Sequence, residues 1–113
     1  MQIKAERISG MKPKRFSAEG WLHYNVRIFL DSTDGPPLSE VEMVVYILDP
    51  SFGDNRYRVS VDRSQRFQIE IWTYDFFDVS ARILMKSTAT TGAYQTVTGE
   101  VRWEGRVEAR EYA

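Results

Sequence analysis

At 113 residues the chain is long enough to bury one core without metal or disulfide staples, so a single domain over residues 1–113 is expected. Its 15 basic and 16 acidic residues nearly cancel, and 42% hydrophobic with 13% aromatic content excludes a disordered or fibrous chain. That balance supplies no whole-protein field for nucleic acid or membrane, and the absence of cysteine removes disulfides, thiol nucleophiles and thiolate metal sites together.

Taken in chain order, the basic stretch from Met1 to Phe16 is not followed by an apolar h-region and does not read as a secretory signal. Its lysines and arginines read as a solvated end, so nucleic acid is not expected as a partner. In Leu22-His23-Tyr24-Asn25-Val26-Arg27-Ile28-Phe29-Leu30 the even positions are apolar, the pattern of a strand with one buried face, with His23 on the polar side. Asp31 to Pro37 is a cluster of turn-forming residues and predicts a loop.

Val41 to Leu48 is apolar on both faces except at Glu42, as for a central strand covered on both sides or one entering a sandwich core. The strictly apolar part, Met43 to Leu48, falls far short of the ~20 residues of a membrane span, and a cytoplasmic protein is the default expectation. After Gly53-Asp54-Asn55, the residues Tyr57, Val59 and Val61 alternate with Arg58 and Ser60 on a short strand. Phe67, Ile69 and Ile71 then alternate with Gln68 and Glu70. Beyond a turn at Thr73 to Phe76, the run Phe77, Val79, Ala81, Ile83 and Met85 marks a long amphipathic strand.

In the last segment Val97, Gly99, Val101, Trp103, Gly105 and Val107 share one face. The charges from Glu100 to Arg110 alternate in sign on the other, where neighbours two apart can pair. Seven or eight short strands separated by turn clusters predict an all-β, antiparallel sandwich of immunoglobulin type. Trp21, Trp72 and Trp103 are expected in its core.

Enzyme chemistry has little to rest on. His23 is the only histidine, and on the polar side of a strand it reads as a solvated side chain rather than a general base. Nucleophile-elbow, P-loop and dinucleotide motifs are absent. Asp75 and Asp78 read as turn residues, and the loop carboxylates Asp31, Asp34, Asp49 and Asp54 do not have EF-hand spacing. No catalytic residue, metal or other cofactor is expected. The informative residues are instead Phe52 and Tyr74, each placed on a loop just after a strand-like run. There two flat rings make a slot for a flat polar group.

Val44-Val45-Tyr46-Ile47-Leu48-Asp49-Pro50-Ser51-Phe52, followed by Trp72-Thr73-Tyr74-Asp75-Phe76-Phe77-Asp78-Val79, resembles the YEATS family. These are immunoglobulin-fold domains that read acylated lysines on histone tails in eukaryotes. The first segment is similar to the family's His-Leu-His-Pro-Ser-Phe loop and the second to its Gly-Trp/Tyr-Gly-x-Phe loop. The resemblance spans roughly residues 20–87, and Tyr24 to Leu30 with Val41 to Phe52 resembles the prokaryotic branch in particular.

It implies that Phe52 and Tyr74 wall the slot, that the Ser51 hydroxyl bonds the acyl amide, and that backbone around Tyr74 and Asp75 supplies a further donor. Asp49 stands where the family has its second histidine, and Thr73 with Asp75 or Phe76 stands where it has glycines. The implied function is a non-catalytic module with a protein or peptide partner bearing an acylated lysine. The alternative is an assembly module of a bacterial system, with no small ligand. Carbohydrate binding would instead require Trp72 and Tyr74 to form an exposed flat platform.

Overall fold

A computed structural model describes residues 1–16, 20–33, 35, 37–88 and 91–103. Among them are seven strands: β1 (Gln2–Arg7), β2 (Tyr24–Asp31), β3 (Val41–Ile47), β4 (Tyr57–Ser60), β5 (Ile69–Thr73), β6 (Phe77–Met85) and β7 (Tyr94–Val101). They form two antiparallel sheets, ordered β1-β2-β5 and β4-β3-β6-β7, which is the expected immunoglobulin-like sandwich.

The period of two explains how the sheets face each other. Tyr24, Val26, Ile28 and Leu30 of β2 and Ile69 and Ile71 of β5 are buried against Val79, Ala81, Ile83 and Met85 of β6 and Val101 of β7. On β3 a register shift between Val41 and Met43 resets the alternation, so that Val41, Val44, Tyr46 and Leu48 all point inward. Each such aliphatic side chain stabilises the fold by roughly 1.5–3 kcal/mol relative to exposure. Glycine at position 99 has a packing reason: a Cβ there would lie 3.3 Å from Cβ of Ile3, where β1 comes close to β7.

Three features go beyond what the sequence pattern specified. The basic N-terminal stretch holds β1, which pairs with β2 from Gln2 opposite Asp31 to Arg7 opposite Val26. At this sheet edge Lys4 pairs with Asp31 at 3.6 Å and Glu6 with Arg27 at 3.3 Å, so the charges cover an edge rather than form a free arm. On β4 the expected alternation is present, with its apolar residues turned outward. Tyr57, Val59 and Val61 are exposed, whereas Ser60 is buried. Finally β3 is a central strand of the sandwich, as expected, with Val44 and Tyr46 in the core and Met43, Val45 and Ile47 on its outer face half-buried. Of the C-terminal stripe, Val97 packs against the core, Val101 and Trp103 lie in it, and Arg102 bonds Glu100 at 2.6 Å; residues 104–110 lie outside the described residues.

Tyr46 ties the two sheets together. Its hydroxyl donates to the Phe67 carbonyl at 2.8 Å, and burial pushes the phenol far above its ordinary pKa, keeping it a neutral donor. Phe67 is fully buried and, with Arg66, holds the left-handed conformation at φ of 56° and 53°. Replacing Tyr46 by Phe leaves the Phe67 carbonyl without its donor. The expected loss is about 1–2 kcal/mol of unfolding free energy, seen as a lower urea midpoint with an unchanged m-value. An unchanged midpoint would show that the bond contributes nothing net.

Candidate functional site

At one end of the sandwich the segments that follow β3 and β5 converge. Asp49 precedes a 3-10 stretch, Pro50–Arg56, and its carboxylate accepts the Ser51 backbone N–H at 2.9 Å, in the manner of a helix N-cap. Pro50 occupies the first helical position, where its missing N–H costs nothing. The Phe52 N–H then bonds the Asp49 carbonyl at 3.0 Å, which completes a tight turn. Gly53, at φ 61°, takes the left-handed conformation that lets the chain double back toward β4. The Leu48 N–H bonds the Arg56 carbonyl at 2.8 Å and closes the loop's base.

The second segment is built by Thr73. Its side chain is buried at the end of β5; its hydroxyl donates to the Asp75 carbonyl at 3.0 Å and accepts the Asp75 N–H at 3.4 Å. Asp75 in turn accepts the Phe76 N–H at 2.8 Å. Short polar side chains thus make a turn that glycine would otherwise make by backbone freedom.

Between the two segments lies a cleft of about 300 Å³, lined by Asp49, Ser51, Phe52, Tyr74, Asp75 and Phe76, together with His23, Trp72, Thr73 and Phe77. Every residue singled out from sequence for the slot therefore borders one cavity. Phe52 leans on Phe77, with ring centroids 5.3 Å apart and planes at 53°. Tyr74 is exposed by 42% and is backed by His23, edge-on at 5.4 Å, and by Trp21, nearly parallel at 6.2 Å and 17°. Phe76 borders the cleft while its ring packs edge-on against Trp103 at 4.5 Å, so it also anchors the loop to the core.

Two residues that border or back this cleft were not apparent from sequence. His23 is half-buried, not solvated, and pairs through its backbone with Lys14. Its Nδ1 lies 2.9 Å from the Trp21 carbonyl, which can only accept, so Nδ1 carries a proton and Nε2 is the acceptor in the neutral ring. Trp21 is not in the core: it is exposed by 69% and lies against Tyr74. Alternation within one strand carries no information about such contacts between separate segments. Trp72 is half-buried, with the Lys14 ammonium 4.3 Å from its ring centre and Phe16 edge-on at 6.0 Å. With its ring so covered, Trp72 does not form the open platform with Tyr74 that a sugar would require.

The family model for the prokaryotic YEATS domain matches residues 24–96, well over half of the chain. The chain belongs to the prokaryotic YEATS domain family. Among solved structures, one of the Yaf9 YEATS domain recognising an H3K122suc peptide is similar in fold, with a TM-score of 0.56 at 14% identity. The match covers 93% of this chain and 71% of the Yaf9 chain. No curated protein matches the sequence. Both cleft segments of this YEATS domain fall inside the matched region.

The electrostatics of the cleft are set by carboxylates. Hydrogen bonds from the Ser51 backbone and hydroxyl, with a smaller contribution from Arg56, hold the Asp49 carboxyl below its ordinary value despite some opposing desolvation. Because the folded pKa is lowered, the stability Asp49 lends the loop is complete above the ordinary aspartate value of about 3.9 and is lost as pH falls through the lower folded value. The Ser51 amide shift, followed by NMR, should therefore titrate with a midpoint below about 3.9. Asp49→Ala should lower the melting temperature, while Asp49→Asn, which keeps an acceptor, should retain most of it. A Ser51 midpoint at or above the ordinary value would contradict the capping bond.

Proposed function

We propose that this YEATS domain is a non-catalytic binding module that holds an acylated lysine of a protein or peptide partner between Phe52 and Tyr74. The observation that carries this reading is the convergence of Ser51, Phe52 and Tyr74 on one cleft. Acylation removes the lysine charge and leaves a flat amide. Two aromatic walls suit such a group, with ring contacts worth about 0.5–1.5 kcal/mol each.

The Ser51 hydroxyl, beside the Asp49 carboxylate, contributes to lowering the carboxyl's pKa. A hydroxyl that donates to Asp49 keeps its lone pairs for the N–H of the ligand amide. With about 1 kcal/mol net from such a bond, the complex belongs in the micromolar to millimolar range. The fold relative's printed ligand is a succinylated peptide, and that group carries a negative charge. The Asp49 carboxylate at this cleft repels a second carboxylate, so the reading favours small neutral acyl groups.

NMR titrations with otherwise identical acetyl-, crotonyl-, succinyl- and unmodified-lysine peptides test it. Saturable shifts at Ser51, Phe52 and Tyr74 are expected for acetyl and crotonyl peptides, with succinyl several-fold weaker. Phe52→Ala and Tyr74→Ala should each weaken binding about tenfold or more, in line with loss of a ring contact and its burial. Equal or tighter binding of unmodified lysine would overturn the reading, because the same rings and carboxylates would then be serving as a cation site. No saturable shift at millimolar peptide would leave the assembly module as the function.

A further inference from the structure

Outside the cleft, the segment that precedes β2 carries a cation whose side-chain partners are rings. The Lys14 ammonium lies 4.3 Å from the ring centre of Trp72 and 5.1 Å from that of Phe16, and Phe16 meets Trp72 edge-on at 6.0 Å. No ion pair engages Lys14 among the described residues. An ammonium over ring faces is attracted by their quadrupoles, most strongly by that of Trp. Trp72 belongs to β5, whereas Lys14 and Phe16 precede β2, so the charge joins this segment to the strand behind the cleft.

The same segment stands behind Tyr74. The Lys14 N–H bonds the His23 carbonyl at 3.0 Å, and the His23 N–H returns to the Lys14 carbonyl at 2.8 Å. Arg15 Nε donates to the Gly20 carbonyl at 3.2 Å, a second tie between the two runs. Phe16 is edge-on to His23 at 4.9 Å, His23 is edge-on to Tyr74, and Trp21 lies nearly parallel to Tyr74. The Thr73 bonds fix the backbone of the turn at Asp75, and the rings behind Tyr74 set the direction of its side chain.

We propose that Lys14 is a positioning residue of the cleft: its charge, shared between Trp72 and Phe16, holds residues 14–16 and 20–23 against β5 and thereby sets the Tyr74 ring that walls the slot. Lys14 is not among the residues that line the cleft, and it acts through Phe16 and His23. The inference deepens the acyl-lysine reading and rests on it only for the effect on affinity, since the position of the ring is a property of the chain alone. An unbranched apolar side chain of similar length keeps the packing but loses the attraction, whereas a guanidinium keeps both.

The test compares the full chain, isotope-labelled, with Lys14→Met and Lys14→Arg by hydrogen exchange and NMR, and then titrates each with an acetyl-lysine peptide. Exchange at the amides of residues 14 and 23, relative to their intrinsic rates, reads the opening of the bridge directly. Lys14→Met should accelerate both about two- to fivefold, the span of an exposed cation–π contact, and shift the Tyr74 ring protons while core amides of β3 and β6 keep their rates. It should weaken the peptide about twofold or more, and Lys14→Arg should restore exchange, ring shifts and affinity together. Unchanged exchange in Lys14→Met, a Tyr74 ring that does not move, equal peptide affinity, or a loss that Lys14→Arg fails to restore would overturn the proposal. If the wild-type chain binds no acetyl-lysine peptide while exchange and ring shifts respond as expected, the acyl-lysine reading fails and the Lys14 clamp stands.

Discussion

The bond from the Tyr46 hydroxyl to the Phe67 carbonyl joins β3 of one sheet to the segment entering β5 of the other. Those are the two strands whose ends carry the cleft. Two sheets held only by apolar contact can slide over one another at small cost, because dispersion and burial have little direction. A buried hydrogen bond has direction, and breaking it strands a carbonyl in the core. Phe67 also donates its N–H to the Asp62 carbonyl at 2.9 Å, and the neighbouring Arg66 carbonyl accepts Leu30 at 3.1 Å. Two consecutive left-handed residues, each costing roughly 1 kcal/mol or more, persist only where surrounding bonds determine them so fully. The position of the cleft segments is therefore inherited from a polar contact set deep in the sandwich.

On that frame the cleft needs little of its own to stay open. Its first loop is fixed by Asp49 and Pro50, its second by the Thr73 hydroxyl, and both rings that wall it lean on further rings. Where glycines in these loops would give close approach through backbone freedom, this chain uses polar side chains that bond locally. Such bonds satisfy the backbone and at the same time place carboxylates beside an aromatic cavity. The carboxylates at the rim of the cleft are thus a by-product of how its loops are made.

Alternation along the chain made most of the sandwich legible. The inward sets of β2, β5, β6 and β7 follow directly from the period of two, and the loop residues Asp49 to Phe52 and Tyr74 to Phe76 followed from their place after strand-like runs. The parts that escaped have physical reasons. β1 has only Ile3 and Ala5 as apolar residues, because an edge strand is stabilised by its ladder and by cross-strand charge pairs. Periodicity states that two faces differ but not which one is buried, and so it left open that β4 turns Ser60 inward and Val59 outward. Trp21 and His23 reach Tyr74 through a contact between separate segments, which no local pattern encodes.

β3 connects these observations. Its inward residues Val41, Val44 and Tyr46 belong to the core, the residues after its end form one lip of the cleft, and its outward residues Met43, Val45 and Ile47 form a half-buried strip on the outer face. A strand apolar on both faces is ordinarily the mark of a layer on each side. Here one layer is the other sheet, and among the described residues the second is missing. The outward apolar residues of β4 add to this face, with Tyr57 and Val59 exposed by 55% and 59%. Because successive side chains of a strand point to opposite faces, the three roles of β3 are separable by residue: a change at Val45 alters the outer strip while Tyr46, one position on, keeps the core and the cleft in place.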